Sequence, residues 1–148
     1  MSLRALQVLI LIGLLGVFAL DAHAQFVSDD LSPVTIGNVS VKIHDEATDG
    51  CWTNLGEVKN YAKDKLELKG YKISDTNFEY YTIYVLVATQ RTEEGRCFGS
   101  INIQVLKAEI SGGIFGFHEV ANHGGIFNYA ENANNYILNL INELTSKM

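Results

Sequence analysis

The chain holds two cysteines and one proline in 148 residues. Two cysteines are too few for a disulfide scaffold or a four-cysteine zinc site. One proline beside thirteen glycines excludes a collagen-like or proline-rich rod. Basic residues are scarce, 11 against 17 acidic, and the net charge of -6 argues against a general nucleic-acid binder. After residue 20 no apolar run reaches the length of a membrane-spanning helix. The chain has no Gly-x-Ser-x-Gly elbow, no phosphate loop and no His-Glu-x-x-His. No cofactor fingerprint is present, and the reading is a non-catalytic protein without a cofactor.

What is present is a globular composition, 47% hydrophobic and 19% charged, enough for one core. Residues 1–24 read as a cleavable secretory signal. Arg4 gives a basic start, Leu6 to Leu20 is almost purely apolar, and Ala22-His23-Ala24 fits the small-x-small cleavage rule before Gln25. The run is shorter than the roughly 20 residues of a spanning helix, which argues against a membrane anchor. The expected destination is the periplasm or the medium. Loss of Arg4 and Asp21 leaves the net charge unchanged, and His44, His118 and His123 remain. In an oxidising compartment Cys51 and Cys97 are expected to form a disulfide, and they lack the Cys-x-x-Cys spacing of a redox pair.

The domain organisation is a leader at 1–24, a flexible acidic lead-in at 25–33 and a single domain at 34–148. Val34 to His44 alternates, with Val39, Val41 and Ile43 on one face, and predicts a half-buried strand. Asn54 with Glu57 fits a capping box for a helix over 55–68, whose apolar stripe is Leu55, Val58, Ala62 and Leu66. Tyr71 to Ser74 predicts a short strand. Phe78 to Gln90 predicts the longest strand, with Tyr81, Ile83, Val85 and Val87 on one face and Tyr80, Thr82, Tyr84 and Leu86 on the other. The polar loop at 91–96 reverses the chain into a return strand at 98–108, with Ile101, Ile103 and Val105 inward.

The glycine-dense stretch 111–127 predicts a short strand at 115–121 and a turn at 122–125. Asn128 with Glu131 fits a cap for a second helix, striped by Ala130, Ala133, Ile137, Ile141 and Leu144. The expected fold is a two-layer α+β sandwich. Two helices pack on one face of a mostly antiparallel sheet of four or five strands.

The candidate binding face is the second face of the long hairpin: Tyr80, Thr82, Tyr84 and Leu86 beside Asn102 and Gln104. Aromatic bodies with polar neighbours suit an interface, although cross-strand aromatic pairing also stabilises an exposed sheet. The expected partner is another envelope protein or a second copy of the chain, met through the sheet face or a sheet edge. Two rival readings exist. One is a metal-binding or hydrolytic protein using His118, Glu119 and His123, but their spacing matches no standard zinc motif, so no metal is expected. Tyr80 and Tyr84 could instead serve a polysaccharide or small ligand. His44 with Asp45, Glu46 and Asp49 lacks calcium-loop spacing and reads as a solvated acidic loop.

Overall fold

In the computed structural model, residues 24–27, 30–76 and 79–148 are described. The expected leader, up to residue 23, lies outside them. The elements run β1 (Ala24–Val27), α1 (Pro33–Ile36), β2 (Asn38–Asp45), α2 (Leu55–Leu68), β3 (Lys72–Ile73), β4 (Tyr81–Arg91), β5 (Cys97–Ser111), β6 (Ile114–Ala130) and α3 (Asn134–Lys147). The strands form one sheet in the order β1-β6-β5-β4-β2-β3. Five of them follow Asn38, and β1 adds a sixth at the edge. Three of the five pairings are antiparallel. β2 is parallel to both β3 and β4. The fold is thus α+β on a mostly antiparallel sheet.

Alternation decides which residues meet. Val85 pairs with Ile43 on β2 and Ile103 on β5, and Ile103 pairs with His123 on β6. Val85 and Ile103 are fully buried, in one cluster with Val58, Ala62 and Leu66 of α2 and Ile137, Leu140, Ile141 and Leu144 of α3. The two long helices touch each other and the sheet. Each buried large aliphatic side chain contributes about 1.5–3 kcal/mol of burial, which is why the stripes at helical spacing find this face.

Several boundaries differ from the sequence expectation. The segment 34–36 is a turn of helix rather than strand. Pro33 presets its φ for a helix start, and Gly37 closes the turn with its N–H on the Pro33 carbonyl. Asp30 fixes this entry by accepting the Ser32 N–H at 3.0 Å and the Thr35 hydroxyl at 2.9 Å. The predicted Asn54 cap makes no side-chain bond to the backbone N–H groups of the helix. Its side-chain carbonyl instead accepts from Trp52 Nε1 at 3.0 Å, and its side-chain amide donates to the Glu57 carboxylate at 2.8 Å.

The largest correction concerns 114–130, which is one continuous strand of 17 residues. β6 therefore exceeds β4, at 11 residues, which had been expected to be the longest. Gly124 makes no turn: a Cβ there would stand 2.5 Å from the Ile101 carbonyl oxygen, so glycine lets β6 approach β5. Because Ala130 still pairs with Cys97, the second helix cannot begin at Asn128. It starts at Asn134 behind Ala133.

Cys51 and Cys97 form the expected disulfide, with Cα atoms 5.6 Å apart. It ties the entry of α2 to the start of β5. Arg91 braces the same corner, donating to the carbonyls of Asp49 at 2.9 Å, Gly95 at 2.6 Å and Glu131 at 3.1 Å.

Candidate binding face

The face of the sheet opposite the buried cluster takes the other residue of each alternating pair. Tyr84 pairs with Gln104, Leu86 with Asn102 and Ala88 with Ser100. β2 brings Lys42 beside Tyr84 and His44 beside Leu86. On the far side, β6 brings Asn122 beside Gln104 and Gly124 beside Asn102. Tyr84, Leu86, Asn102 and Gln104 are all half-buried, as side chains lying on an open sheet are.

Polar contacts order the middle of this face. Glu119 accepts from the side-chain amides of both Gln104 and Asn122, the latter at 2.7 Å. With their N–H groups committed to one carboxylate, the two amides are held in fixed orientations. The Tyr84 ring stacks on His44 with centroids 6.1 Å apart and planes at 30°. His44 in turn bonds Glu46 at 2.8 Å. The arrangement offers amide carbonyls, a phenol and flat apolar bodies to a ligand or partner surface.

Two of the sequence candidates stand apart from this group. Thr82 is buried, its hydroxyl bonded to Ser40 at 2.9 Å. Tyr80 precedes β4 and is 55% exposed. Its ring meets Tyr81 edge to face at 5.1 Å, with Lys107 Nζ 6.0 Å from its centroid. It belongs to the end of the strand, away from Tyr84.

A bulge separates Glu119 from His123. Val105 opposes Ala121 and Leu106 opposes Glu119, so Val120 is the extra residue and shifts the alternation by one. Glu119 then lies on the open face, and His123 is buried, 2% exposed, with Nε2 2.6 Å from Glu143 of α3. His118 is exposed opposite Lys107. The three metal candidates therefore do not converge. No group of three or more His, Cys, Asp or Glu that could hold a metal is found among the described residues.

The sequence reading passed over Lys42, His44 and Asn122 as members of this face. Their alternation was legible, but the parallel β2–β4 pairing and the full length of β6 were not. Shallow clefts flank the polar centre at the Cys97 end of the β5–β6 ladder. One, of about 350 Å³, is lined by Ser100, Asn102, Asn122, Gly124, Gly125 and Ile126. Another of about 350 Å³ is lined by Glu94, Arg96, Cys97, Phe98, Ile126 and Phe127, among others.

Two side-chain environments near the edge of the domain shift acidities. Backbone and hydroxyl donors from Ser32 and Thr35 hold the Asp30 carboxyl below the usual 3.8. Burial, reinforced by the Asp30 charge, pushes the Tyr71 phenol above its usual 10.0, and that phenol donates to the Leu31 carbonyl.

The fold is an α+β domain built on a mostly antiparallel sheet. No family model matches the chain, and no curated protein matches it. Among solved structures it is similar to a variant of the PelC dodecamer from Paraburkholderia phytofirmans, at 14% identity and a TM-score of 0.49, over 84% of this chain and 94% of that one. A second PelC dodecamer from the same organism gives 11% identity and a TM-score of 0.47 over the same shares. A minor lipoprotein from Acinetobacter baumannii gives 11% identity and a TM-score of 0.34, over 76% of this chain and 89% of that one.

Proposed function

We propose that this protein is a small exported, non-catalytic binding or assembly module whose open sheet face receives another envelope protein or a second copy of the chain. The observation that carries the reading is the contiguous half-exposed set Tyr84, Leu86, Asn102 and Gln104, with the Gln104 and Asn122 amides held by Glu119. A surface of this kind keeps hydrogen-bonding groups beside buriable apolar area, as interface cores do. The reading takes α2 and α3 together as the cover of the other face, supported by their mutual contact and shared core cluster. Export is supported by the apolar segment from Leu6 to Leu20, the Ala22-His23-Ala24 motif and the disulfide. No helix among the described residues is long and apolar enough to cross a membrane.

The stack of Tyr84 on His44 beside the two fixed amides favours one second reading, a polysaccharide or small hydroxyl-rich ligand laid across the same face. Aromatic planes and oriented amides suit such ligands as well as they suit a protein surface.

Tyr84→Ala and Gln104→Ala in the oxidised, exported protein test both readings. Cross-linking to envelope proteins in living cells and titration with soluble envelope polysaccharides are the two measurements. Loss of a wild-type partner or ligand in variants that keep the wild-type melting temperature is the expected result. Retention of full binding by both variants would move the interaction off this face.

A further inference from the structure

Large apolar side chains are exposed at both ends of the β5–β6 ladder, and the two ends have opposite shapes. Pairing of β4 with β5 ends at Tyr81 opposite Lys107, the Ala108 N–H still donates to the Tyr80 carbonyl at 2.7 Å, and among the described residues β1 pairs with Ala121 to Gly124 of β6. Among the described residues, 109–116 therefore run on as a two-stranded arm. Gly112 and Gly113 close it with positive φ at both positions, 59° and 82°, the turn that matches strand twist. Direct pairing of Ile110 with Phe115 and of Ala108 with Phe117 puts these four on one face. The other face carries Glu109, Gly116 and His118, with Ile114 at the tip. Ile110 is 74% exposed, Ile114 76%, Phe115 54% and Phe117 55%. At the opposite end lies the cleft of about 350 Å³ at Phe98, Ile126 and Phe127, where Ile126 is 79% exposed.

We infer that the arm of one copy docks in this cleft of a second copy, giving a head-to-tail assembly. Ser111 lies fourteen residue steps from Cys97 along β5, roughly 45 Å at strand rise, so a chain's own arm cannot reach its own cleft. A cavity of about 150 Å³ holds one benzene ring, and the cleft has room for the edge-to-face pair of Phe115 and Phe117, whose centroids are 5.4 Å apart. Charges of both signs lie on each side: Glu94 and Arg96 among the residues lining the cleft, Lys107 and Glu109 at the arm's base. The three large exposed side chains on one face of the arm, Ile110, Phe115 and Phe117, present roughly 300–400 Å², nearly half of the about 800 Å² per partner of a stable interface.

A lipid surface fits the arm less well. The outer N–H and C=O groups of a two-stranded ribbon find no partners in hydrocarbon, at several kcal/mol each. Two arms packed face to face would leave the Ile126 cleft uncovered. Docking of unlike surfaces leaves a free arm and a free cleft at the ends of every dimer, so assembly continues until it closes into a ring or grows as a filament. The proposal goes beyond the binding-face reading, since it needs neither Tyr84 nor Gln104.

The test is sedimentation velocity of the oxidised protein purified from the exported fraction of cells expressing the full chain. Three variants accompany it: an arm variant, Phe115→Ser with Phe117→Ser; a cleft variant, Phe98→Ser with Ile126→Asp; and Tyr84→Ala. Circular dichroism melting confirms that each is folded. Wild type is expected as an oligomer, the two double variants as monomers. An equimolar mixture of the two double variants is expected to give a dimer and nothing larger, because one intact arm meets one intact cleft. Wild-type monomer at 100 μM, or double variants that stay monomeric when mixed, would overturn the assignment. The second result would indicate a like-to-like arm contact instead. Flotation of monomeric wild type with phosphatidylcholine vesicles, abolished in the arm variant alone, would overturn it in favour of lipid. Loss of assembly in Tyr84→Ala alone would place self-association on the open face.

Discussion

Val85 and Tyr84 are neighbours in the chain and opposites in the fold. Val85 is fully buried between Ile43 and Ile103, while Tyr84 lies half-exposed between Lys42 and Gln104. The same period-2 alternation that builds the core therefore also builds the candidate site. What differs is the surroundings: Val85 shares one buried cluster with side chains of α2 and α3, whereas Tyr84 stacks on His44 and stays half-exposed. A stability measurement should separate the two faces even where a sequence pattern treats them as mirror images.

Removing the disulfide should have the largest effect on either face. Reduction of the Cys51–Cys97 bridge frees a loop with a sequence separation of 46, and a loss of about 2–4 kcal/mol is expected. Urea unfolding with and without reductant measures it. A loss under about 0.5 kcal/mol would mean that the Arg91 hydrogen bonds alone hold that corner.

On the inner face, Val85→Ala should cost about 1–3 kcal/mol through lost burial and residual cavity. Tyr84→Ala should cost clearly less, under about 1 kcal/mol. Equal destabilisation of the two variants in thermal or chemical unfolding would show that the Tyr84 face is covered, and the comparison would collapse. Gly124→Ala probes the seam between faces. Its new methyl must push against the Ile101 carbonyl oxygen and the Asn102 Cα, at 2.5 and 3.0 Å, and about 1–3 kcal/mol of overpacking is expected. A neutral result would mean that β6 slides away from β5 without cost.

The smallest expected effect is at the periphery. Asp30 is held below its usual 3.8 by donors from Ser32 and Thr35. A carboxyl depressed in the folded state contributes stability above its unfolded value. That contribution is lost as the pH falls through the folded value, below about pH 4. Asp30→Asn should flatten the stability profile in that acid range and leave it unchanged near pH 7 apart from a constant offset. An identical acid slope in wild type and variant would remove Asp30 from the fold's acid sensitivity.

Much of the fold was legible because its signals are local. The stripes of Val58, Ala62 and Leu66 and of Ile137, Ile141 and Leu144 located both long helices. The alternation through Ile83 to Val87 and Ile101 to Val105 located the central hairpin and its inward residues. The ends of elements were misread where one residue serves two purposes. Gly124 looked like a turn because glycine commonly supplies one, yet here it admits a close neighbour strand. Asn54 and Asn128 looked like helix caps, but Trp52 and Glu57 engage the first, and the Cys97–Ala130 pairing keeps β6 extended past the second. The Val120 bulge, which parts Glu119 from His123, left no mark in the composition around it.

The sequence by itself determined that there is one core, which residues alternate toward it, and that two distant cysteines are available to join. Those properties follow from side-chain chemistry at fixed local periods. Only the tertiary structure decided that β2 runs parallel beside β4, that His44 stacks on Tyr84, that Glu119 gathers Gln104 and Asn122, and that, among the described residues, 109–116 extend past their neighbours as an arm. Each of these depends on which strands lie side by side and where their ladders end. Pairing between distant segments is selected by the total burial and hydrogen bonding of the whole sheet, and no local pattern encodes it.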